Sequence, residues 1–499
     1  MLQAIEISNF RAFKDPALIP FSPITLVLGT NSAGKSSLIS SLLIMKQTIE
    51  DPSYGILVPI LRLSGSRIEG GTYREVVHAH KLRQKIEFKF HFNNQKTLLG
   101  PSLVGLKIPR TSYTALPYYH RYPFYYDLSS KRLNCITLEY ASAGQFSPNL
   151  TRFKVDQSNG RSAWFTRTAE RKQNQHWRAF THQLPKQSLV IDFSESPSLF
   201  PGIKSRRRKF SNNVDKKAVR AIIRESRASF HEASLFFRMM THIGPFRTPP
   251  KRRYTFSGLA ATETGQSGEQ GIDLLILETI TRSKGNRPLT EAVNFWLEHL
   301  NLAKNLEVTS IAAGSNLFEI LISGAGNTYT ANLADVGFGV SQILPVLIQG
   351  LLTPRGSLFA VQQPEIHLHP DAQAGLADFF LFLSSMGIRC LVETHSEYLL
   401  VRMRRRLAEG GLPIAIQKDA NRIFGIKTTS RTHEPFDSNL RKLSRNDVTI
   451  LLTQSMGAQA QVNKIVINDL FQLENLPDGF MTQALDDRIA ITKAYKHTK

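Results

Sequence analysis

The chain has 499 residues, of which 41% are hydrophobic and 20% charged, enough for two or three domains or for one domain with large insertions. Its 62 Lys and Arg against 40 Asp and Glu give a formal charge of +22, which favours a polyanionic partner, nucleic acid first, over a merely basic soluble surface. No apolar run approaches the roughly 20 residues that span a membrane. We therefore expect no membrane partner. Cys135 and Cys390 form no CxxC motif, so we expect both to be reduced core thiols of a cytoplasmic protein.

The first 50 residues predict a strand, a turn, a second strand, a Gly-rich loop and a helix. "LQAIEISNF" alternates, "ITLVLG" is continuously apolar, and "KSSLISSLLIMKQTIE" has the helical apolar period. Between the second strand and the helix, "GTNSAGKSS" matches G-x-x-x-x-G-K-[ST]. Such a loop wraps backbone N–H groups around a phosphate, with Lys35 on the β- and γ-phosphates and Ser36 on Mg²⁺. The sequence therefore predicts a nucleotide site, against a plain Gly-rich turn.

Short β-like runs follow to about residue 200, and residues 201–255 then differ in charge. This segment holds 15 Lys and Arg against 3 Asp and Glu. "KSRRRKF" is typical of an exposed loop, and the stretch after it predicts an amphipathic helix with a basic face. The candidates for contact with nucleic acid are Arg206, Arg207, Arg208, Lys209, Lys216, Lys217, Arg220, Arg252 and Arg253.

Helices are predicted at residues 270–305 and strands at 306–333, before a Gly-rich turn and helix in "ADVGFGVSQILPVL". Gly337, Gly339 and Ser341 lie at the start of this helix, and a Gly-rich helix start can bind an anion. If it docked on the γ-phosphate held by a second protomer, nucleotide would join two chains. The alternative is an ordinary, tightly packed helix start.

Two apolar strands near the end of the chain complete the predicted site. "FAVQQPEIHLHP" reads as a buried strand that ends where a phosphate-handling protein needs acidic residues, but Gln362 and Gln363 are neutral. Glu365 is the nearest carboxylate in that motif. The next strand, "IRCLVETHS", ends at His395, which we interpret as a γ-phosphate sensor, against a structural histidine.

Together these motifs resemble the ABC-type ATPase heads of the SMC/RecF/OLD class. The resemblance runs through "FRAFKD", the P-loop, "VGFGVSQ", "QQPEIHLHP" and "ETHSEYLL". "THIGPFRTPPKRRYTFSG", "GQSGEQGIDLL" and "LPDGF" are further similar to stand-alone prokaryotic AAA-type ATPases of antiphage defence, the Septu ATPase subunit first and the PARIS ATPase subunit next. The resemblance implies ATP and Mg²⁺ as cofactors and self-association into a dimer or higher oligomer.

The resemblance also implies a role for each matching residue. Arg11 and Phe13 would lie near the base, His395 would be the switch histidine, and the glycines of "VGFGVSQ" with Ser341 would act in trans. An acidic residue is expected in place of Gln362 and often of Gln363, and a glutamine accepts no proton at neutral pH. We therefore expect tight ATP binding with slow or absent hydrolysis, whether Gln362 is native or engineered. The phosphate and Mg²⁺ residues would be Gly29, Asn31, Ser32, Ala33, Gly34, Lys35, Ser36 and Ser37.

The predicted fold is an α/β ABC-type ATPase head with mixed β-sheets, a helical lobe that carries the signature loop, and no long coiled-coil arms. We expect the N-terminal part of the head at residues 1–200 and a basic helical lobe at 201–305. The C-terminal part of the head should follow at 306–430, with an extension at 431–499.

The function predicted from the sequence is ATP-dependent head association that controls a separate nuclease subunit of an antiphage defence complex. The acidic cluster of a Toprim nuclease is missing after Ser396, so the nuclease should be another polypeptide, of HNH type. Two alternatives remain: a RecF-like repair or recombination ATPase that DNA stimulates, and a scaffold with a structural nucleotide.

Overall fold

A computed structural model gives the fold of the chain. It describes residues 2–50, 60–92, 98–99, 103, 126–127, 133–142, 148–157, 162–167, 177–181, 184–194, 202–204, 233–258, 261–283, 286–324, 330–423, 444–457 and 459–477.

The elements fall into short strands and helices of at most 16 residues within these ranges. The strands are β1 (Leu2–Ser8), β2 (Ala17–Pro20), β3 (Ile24–Gly29), β4 (Ile86–Phe92), β5 (Leu98–Leu99), β6 (Tyr126–Asp127), β7 (Leu133–Ser142), β8 (Pro148–Gln157), β9 (Ser162–Arg167), β10 (Trp177–Thr181), β11 (Leu184–Ser194), β12 (Gly202–Lys204), β13 (Thr241–Ile243), β14 (Tyr254–Thr255), β15 (Asn305–Ser310), β16 (Leu317–Ser323), β17 (Thr330–Asn332), β18 (Leu358–Gln362), β19 (Arg389–Glu393), β20 (Val448–Met456), β21 (Gln459–Ile467) and β22 (Leu473–Glu474). The helices are α1 (Lys35–Glu50), α2 (Tyr73–Val76), α3 (Gly271–Thr281), α4 (Pro288–His299), α5 (Phe338–Leu352), α6 (Pro370–Ser385), α7 (Glu397–Ala408) and α8 (Ile414–Ile423), and residues 233–239 are also helical.

The seven-stranded sheet in the order β13-β18-β19-β3-β20-β21-β22 carries the predicted site. Its first five strands are parallel and the last two pair antiparallel. The carboxyl ends of β18, β19 and β3 therefore meet at one edge, where α/β sheets bind ligands. Since β20 pairs directly with β3, and β21 and β22 follow β20 in the sheet, the described strands of the predicted extension belong to this sheet.

Side chains of β3 alternate between two hydrophobic cores, as a strand buried on both faces requires. Ile24, Leu26 and Leu28 pack with α4, α5 and α6, whereas Val27 packs with α1 and the larger sheet. That larger sheet is antiparallel with nine strands in the order β12-β11-β10-β9-β8-β7-β4-β1-β2. Helix α1 thus lies between two sheets, which fixes the loop that precedes it.

The α/β fold class predicted from the sequence is confirmed. The predicted P-loop strand and helix are β3 and α1, and the two motif strands are β18 and β19. Both cysteines are buried and unpaired. In the parts of the chain that the structure describes, no helix is long and apolar enough to cross a membrane.

Candidate nucleotide site

The loop between β3 and α1 needs glycine at two positions. Gly29 has φ +146°, and a Cβ there would lie 2.3 Å from the Thr453 carbonyl oxygen on neighbouring β20. Gly34 has φ +96°, and its Cβ would lie 2.8 Å from that of Ala460. Only glycine combines positive φ with such close approach. The glycines of the motif are therefore required by the backbone, and the loop ends at the N-terminus of α1.

Lys35 bends its side chain back over this loop. Its Nζ donates hydrogen bonds to the carbonyl oxygens of Gly29 at 2.9 Å and Thr30 at 2.7 Å. Burial lowers the pKa of Lys35, and the nearby carboxylates of Glu393 and Glu365 oppose that shift. The loop thus presents an ammonium group at its centre, which can exchange backbone carbonyls for phosphate oxygens.

Ser36, Glu393 and Gln362 form a chain of hydrogen bonds from the P-loop to β18. Ser36 Oγ lies 3.3 Å from Glu393 Oε1, and Gln362 Nε2 donates to Glu393 Oε2 at 2.7 Å. Gln362 and Glu393 are register partners in the parallel pair of β18 and β19, and both are buried. A buried carboxylate therefore lies beside the P-loop serine, although both motif positions on β18 are neutral.

Two further side chains, those of His242 and Arg247, form hydrogen bonds with Gln362. His242 on β13 lies with Nε2 3.1 Å from Gln362 Oε1, and Arg247 Nη2 donates to the carbonyl oxygens of Gln362 at 2.8 Å and Gln363 at 3.0 Å. Burial lowers the pKa of His242 to about 4 and that of Arg247 to about 10, so at neutral pH the histidine is neutral and the arginine charged. His242 Nδ1 and the Nε and Nη1 atoms of Arg247 are buried without hydrogen-bond partners.

Glu365 connects β18 to the histidine after β19. Its Oε1 accepts from the His395 backbone N–H at 2.6 Å, while its buried Oε2 has no hydrogen-bond partner. Burial raises the pKa of Glu365. Partial desolvation and the Lys35 ammonium lower the pKa of His395, whose side chain is exposed. Glu365 and His395 are thus joined at the same sheet edge as Lys35, with one carboxylate oxygen free for a ligand or water.

The predicted signature loop lies at the start of α5. Gly337 is its N-cap, and a Cβ there would meet no atom within 4 Å, so this residue faces open space. Phe338 is 63% exposed, whereas Ser341 is buried and donates its hydroxyl to the Phe338 carbonyl at 2.9 Å. A Cβ on Gly339 would lie 3.1 Å from the His367 carbonyl oxygen. The loop therefore contacts the turn after β18 and keeps an open outer surface.

The two residues expected near the base lie close to the P-loop in different environments. Arg11 Nη1 donates to Ser40 Oγ on α1 at 2.8 Å. Phe13 is fully buried and lies near Gly34. In this structure Phe13 packs under the loop, and its place near the base stays a prediction. Asn31 and Ser32 are exposed at the loop tip, whereas Ala33 is buried and Ser37 half-buried.

The nucleic-acid candidates are described only in part. Arg252 forms a two-pronged ion pair with Asp335, with distances of 2.9 and 2.5 Å. Arg253 is exposed and lines, with Lys251 and Ser341, a cavity of about 260 Å³. The ion pair therefore connects the segment around Arg252 to Asp335, which directly precedes the signature loop. The other candidates lie outside the described residues: Arg206, Arg207, Arg208, Lys209, Lys216, Lys217 and Arg220.

The structure brings Lys35, Ser36, Gln362, Glu365 and His395 to one sheet edge, and it adds three residues that the sequence reasoning missed. These are Glu393, His242 and Arg247. For Glu393 a signal existed, because an acidic residue closes the otherwise buried apolar run "CLVE" of β19. His242 and Arg247 precede β18 by more than 100 residues, and only the parallel pairing of β13 with β18 places them.

The donor chemistry around Ser36 fits a magnesium ion. Magnesium prefers oxygen ligands, usually one or two protein groups beside substrate phosphates and water. A serine hydroxyl and a carboxylate oxygen 3.3 Å apart supply such ligands. Ser36 and Glu393 could therefore hold Mg²⁺, which would neutralise phosphate charge when bound.

Fold and site together define a P-loop nucleotide-binding ATPase. The AAA ATPase domain profile matches residues 1–400, and the chain belongs to that family. No curated protein matches the chain at a significant level.

Three solved structures are similar to the chain at 10–11% identity. The SMC head domain from Thermotoga maritima has a TM-score of 0.35 and 10% identity, over 93% of this chain and 98% of that one. An SmcHead bound to the C-winged helix domain of ScpA has a TM-score of 0.39 and 11% identity, over 93% and 98%. An Smc head domain with an extended coiled coil, bound to the C-terminal domain of ScpA derived from Pyrococcus furiosus, has a TM-score of 0.35 and 10% identity, over 99% of each chain.

Proposed function

We propose that this chain is an ATP-binding assembly subunit whose heads associate when they hold ATP and Mg²⁺ and whose hydrolysis is slow. The observation that carries this proposal is the convergence of Lys35, Ser36 and His395 with the buried Gln362 at one edge of three parallel strands. Lys35 supports phosphate binding, because its ammonium already lies over the loop on two carbonyl oxygens.

Slow hydrolysis follows from the chemistry at the end of β18. The Gln362 amide is held at both ends, by His242 and by Glu393, and it cannot accept a proton. Loss of a well-placed general base costs roughly 10²–10⁴ in rate. Glu365, with one free buried oxygen, is the carboxylate that would support the remaining turnover.

Association through the start of α5 would let nucleotide join two heads. Gly337 faces open space and the neighbouring Phe338 is 63% exposed, so an anion held by another protomer could approach the helix N-terminus. A dimer that forms only with ATP would then be a switch, since ATP need only bind one assembly state better than the other.

The role in antiphage defence is the most specific part of the proposed function. Its support is the motif resemblance in "THIGPFRTPPKRRYTFSG" and "GQSGEQGIDLL", together with the lack of a recognisable nuclease motif in the sequence. The assembled heads would control a separate nuclease subunit of HNH type. Co-expression with the product of a neighbouring nuclease gene, followed by size analysis with and without ATP, tests this partner directly.

The basic segment 201–255 would contact DNA or the protein partner. Arg253 is exposed, while Arg252 is engaged by Asp335 and would have to exchange that partner for a phosphate. Binding through phosphates should weaken with a slope of about 0.9 per neutralised phosphate in a plot of log affinity against log salt. A flat response would remove the DNA role, and strong DNA stimulation of turnover would favour the RecF-like alternative.

The proposal is tested by equilibrium binding of ATPγS and by sedimentation velocity on the purified chain. We expect ATPγS with Mg²⁺ to bind and to shift the monomer towards a dimer or larger species, and ADP to do so less. A chain that binds ATPγS yet sediments identically with and without it would contradict nucleotide-dependent association. A chain that binds no ATPγS would contradict the whole proposal.

A further inference from the structure

Glu393 is placed at the point where the P-loop meets β18. It is the last residue of β19, 3% exposed, and its two oxygens face Ser36 Oγ and Gln362 Nε2 at 3.3 and 2.7 Å. Glu393 therefore links the Ser36 hydroxyl, on the proposed magnesium side of the loop, to β18, the strand on which an acidic residue was expected.

The surroundings of Gln362 fit an amide and not a carboxylate. Its Oε1 faces His242 Nε2, which must be the donor, and its Nε2 must donate to the Glu393 carboxylate. A glutamate at 362 would place two buried carboxylates in contact and lose the donor between them. The amide at 362 is thus complementary to a carboxylate at 393.

We propose that Glu393 is the carboxylate of the magnesium side of this site, and that Gln362 positions it. The inference rests on the proposed Mg²⁺-dependent binding of ATP. In an octahedral magnesium site with bonds of 2.0–2.1 Å, adjacent ligands lie about 2.9 Å apart, close to the separation of Ser36 Oγ and Glu393 Oε1. The carboxylate thus lies not at the end of β18, where it was expected, but on its register partner at the end of the parallel strand β19.

The test measures metal dependence and not hydrolysis. ATPγS affinity is determined in Mg²⁺ and in EDTA, and Mn²⁺ bound with ATPγS is followed by electron paramagnetic resonance. The variants are Glu393→Gln, Glu393→Asp and Lys35→Ala. Glu278→Gln is the matched control, because Glu278 is equally buried but caps the start of α4 by accepting from the backbone N–H of Leu289 and Thr290.

We expect Glu393→Gln to lose at least about 10–100-fold of the affinity gained from Mg²⁺, since even the loss of an outer-shell partner of a metal ligand costs that much, and to weaken the Mn²⁺ signal. Affinity in EDTA should stay near wild type and so report an intact fold. Glu393→Asp should lie between the two, and if Glu393→Gln does not fold, Glu393→Asp carries the same test. Glu278→Gln should keep the wild-type metal dependence.

Wild-type metal dependence in both Glu393 variants would overturn the inference while leaving ATP binding intact. A wild-type chain that binds ATPγS equally in Mg²⁺ and EDTA would also overturn it. A wild-type chain that binds no ATPγS, with Lys35→Ala indistinguishable from it, would overturn the proposed function and this inference together.

Discussion

Two polar clusters are built around buried carboxylates, and they differ in how completely their hydrogen bonds are made. The strand-edge cluster contains Gln362, Glu393, His242, Arg247 and Glu365, and four of its buried atoms have no hydrogen-bond partner. The Asp378 cluster consists of Asp378, Arg402, Arg406 and His299 and joins α4, α6 and α7.

Every oxygen of the Asp378 cluster's carboxylate is used. Oδ1 accepts from Arg406 Nε at 2.6 Å, and Oδ2 accepts from Arg406 at 3.0 Å, Arg402 at 3.1 Å and His299 at 3.2 Å. Such a complete network fixes helices. The unmade bonds of the strand-edge cluster instead leave donors and acceptors for a ligand, since buried polar groups in proteins are normally satisfied. We therefore assign a structural role to the Asp378 cluster and a ligand-binding role to the strand-edge cluster.

The largest expected effect is on stability at the Asp378 cluster. Asp378→Asn would remove the buried counter-charge of the Arg406 guanidinium and leave it only the surface carboxylate of Glu409, at a cost of about 3–5 kcal/mol in the free energy of unfolding. Chemical denaturation measures this loss. The control is Glu409→Gln, since the exposed Glu409 pairs with Arg405 and Arg406 and its loss should change the free energy of unfolding far less. Equal losses in both variants would erase the contrast.

Acid should remove the stability that the Asp378 cluster contributes. Burial alone would raise the pKa of Asp378, but hydrogen bonds from His299 and Arg406 more than offset this, so the folded pKa is lowered. Its contribution to stability is therefore present above the unfolded pKa of about 3.9 and is lost as pH falls through the folded value. Below about pH 4, Asp378→Asn should show a shallower acid limb than wild type in thermal unfolding. Identical acid limbs would count against this assignment.

The next largest effect is on nucleotide binding. Lys35→Ala removes the ammonium that contacts phosphate, and loss of a hydrogen bond to a charged group costs roughly 1.5–3 kcal/mol, or about 10–150-fold in affinity. Unfolding of the free protein should change far less than in Asp378→Asn. Fluorescent ATP titration and denaturation on the same samples measure both quantities. A variant that binds ATP normally would remove Lys35 from the site.

Gln362→Glu sharpens the comparison inside the strand-edge cluster. It places a second carboxylate against Glu393, so we expect the free energy of unfolding to fall by about 1–3 kcal/mol, while the restored base should raise hydrolysis by about 100-fold or more. Gln363→Glu makes the same chemical change at a half-buried neighbour and should affect stability less. An unchanged rate of hydrolysis in Gln362→Glu would show that residue 362 is not the site of the missing base.

The smallest effect on the monomer is expected at the start of α5. Phe338→Ser should change monomer stability by no more than about 0.5 kcal/mol but weaken the ATPγS-dependent association. Leu470→Ser is the control, since Leu470 is 75% exposed and lies outside the signature loop. Sedimentation velocity distinguishes them, and equal association of both variants with wild type would exclude Phe338 from the interface.

Local sequence pattern was sufficient for much of the fold and for five of the eight residues at the site. The apolar run of β3, the glycines after it and the period of α1 are contiguous, so Lys35 and Ser36 could be placed from sequence. Glu393 lies 31 residues after Gln362, and only parallel register brings them together. His242 and Arg247 come from still further away, and no period in the sequence reports which buried atoms lack partners. The missed residues are therefore those positioned by sheet topology.

The most direct test of the account is single-turnover hydrolysis of radiolabelled ATP by the wild-type chain in Mg²⁺. Enzymes commonly turn over at about 10 s⁻¹, so loss of the base at the end of β18 predicts a rate between about 10⁻¹ and 10⁻³ s⁻¹, with ATP remaining bound. A rate near 10 s⁻¹ or above, at the ordinary level for enzymes, would show that the strand-edge cluster contains a competent base. The long-lived ATP-bound head proposed for this protein would then be wrong.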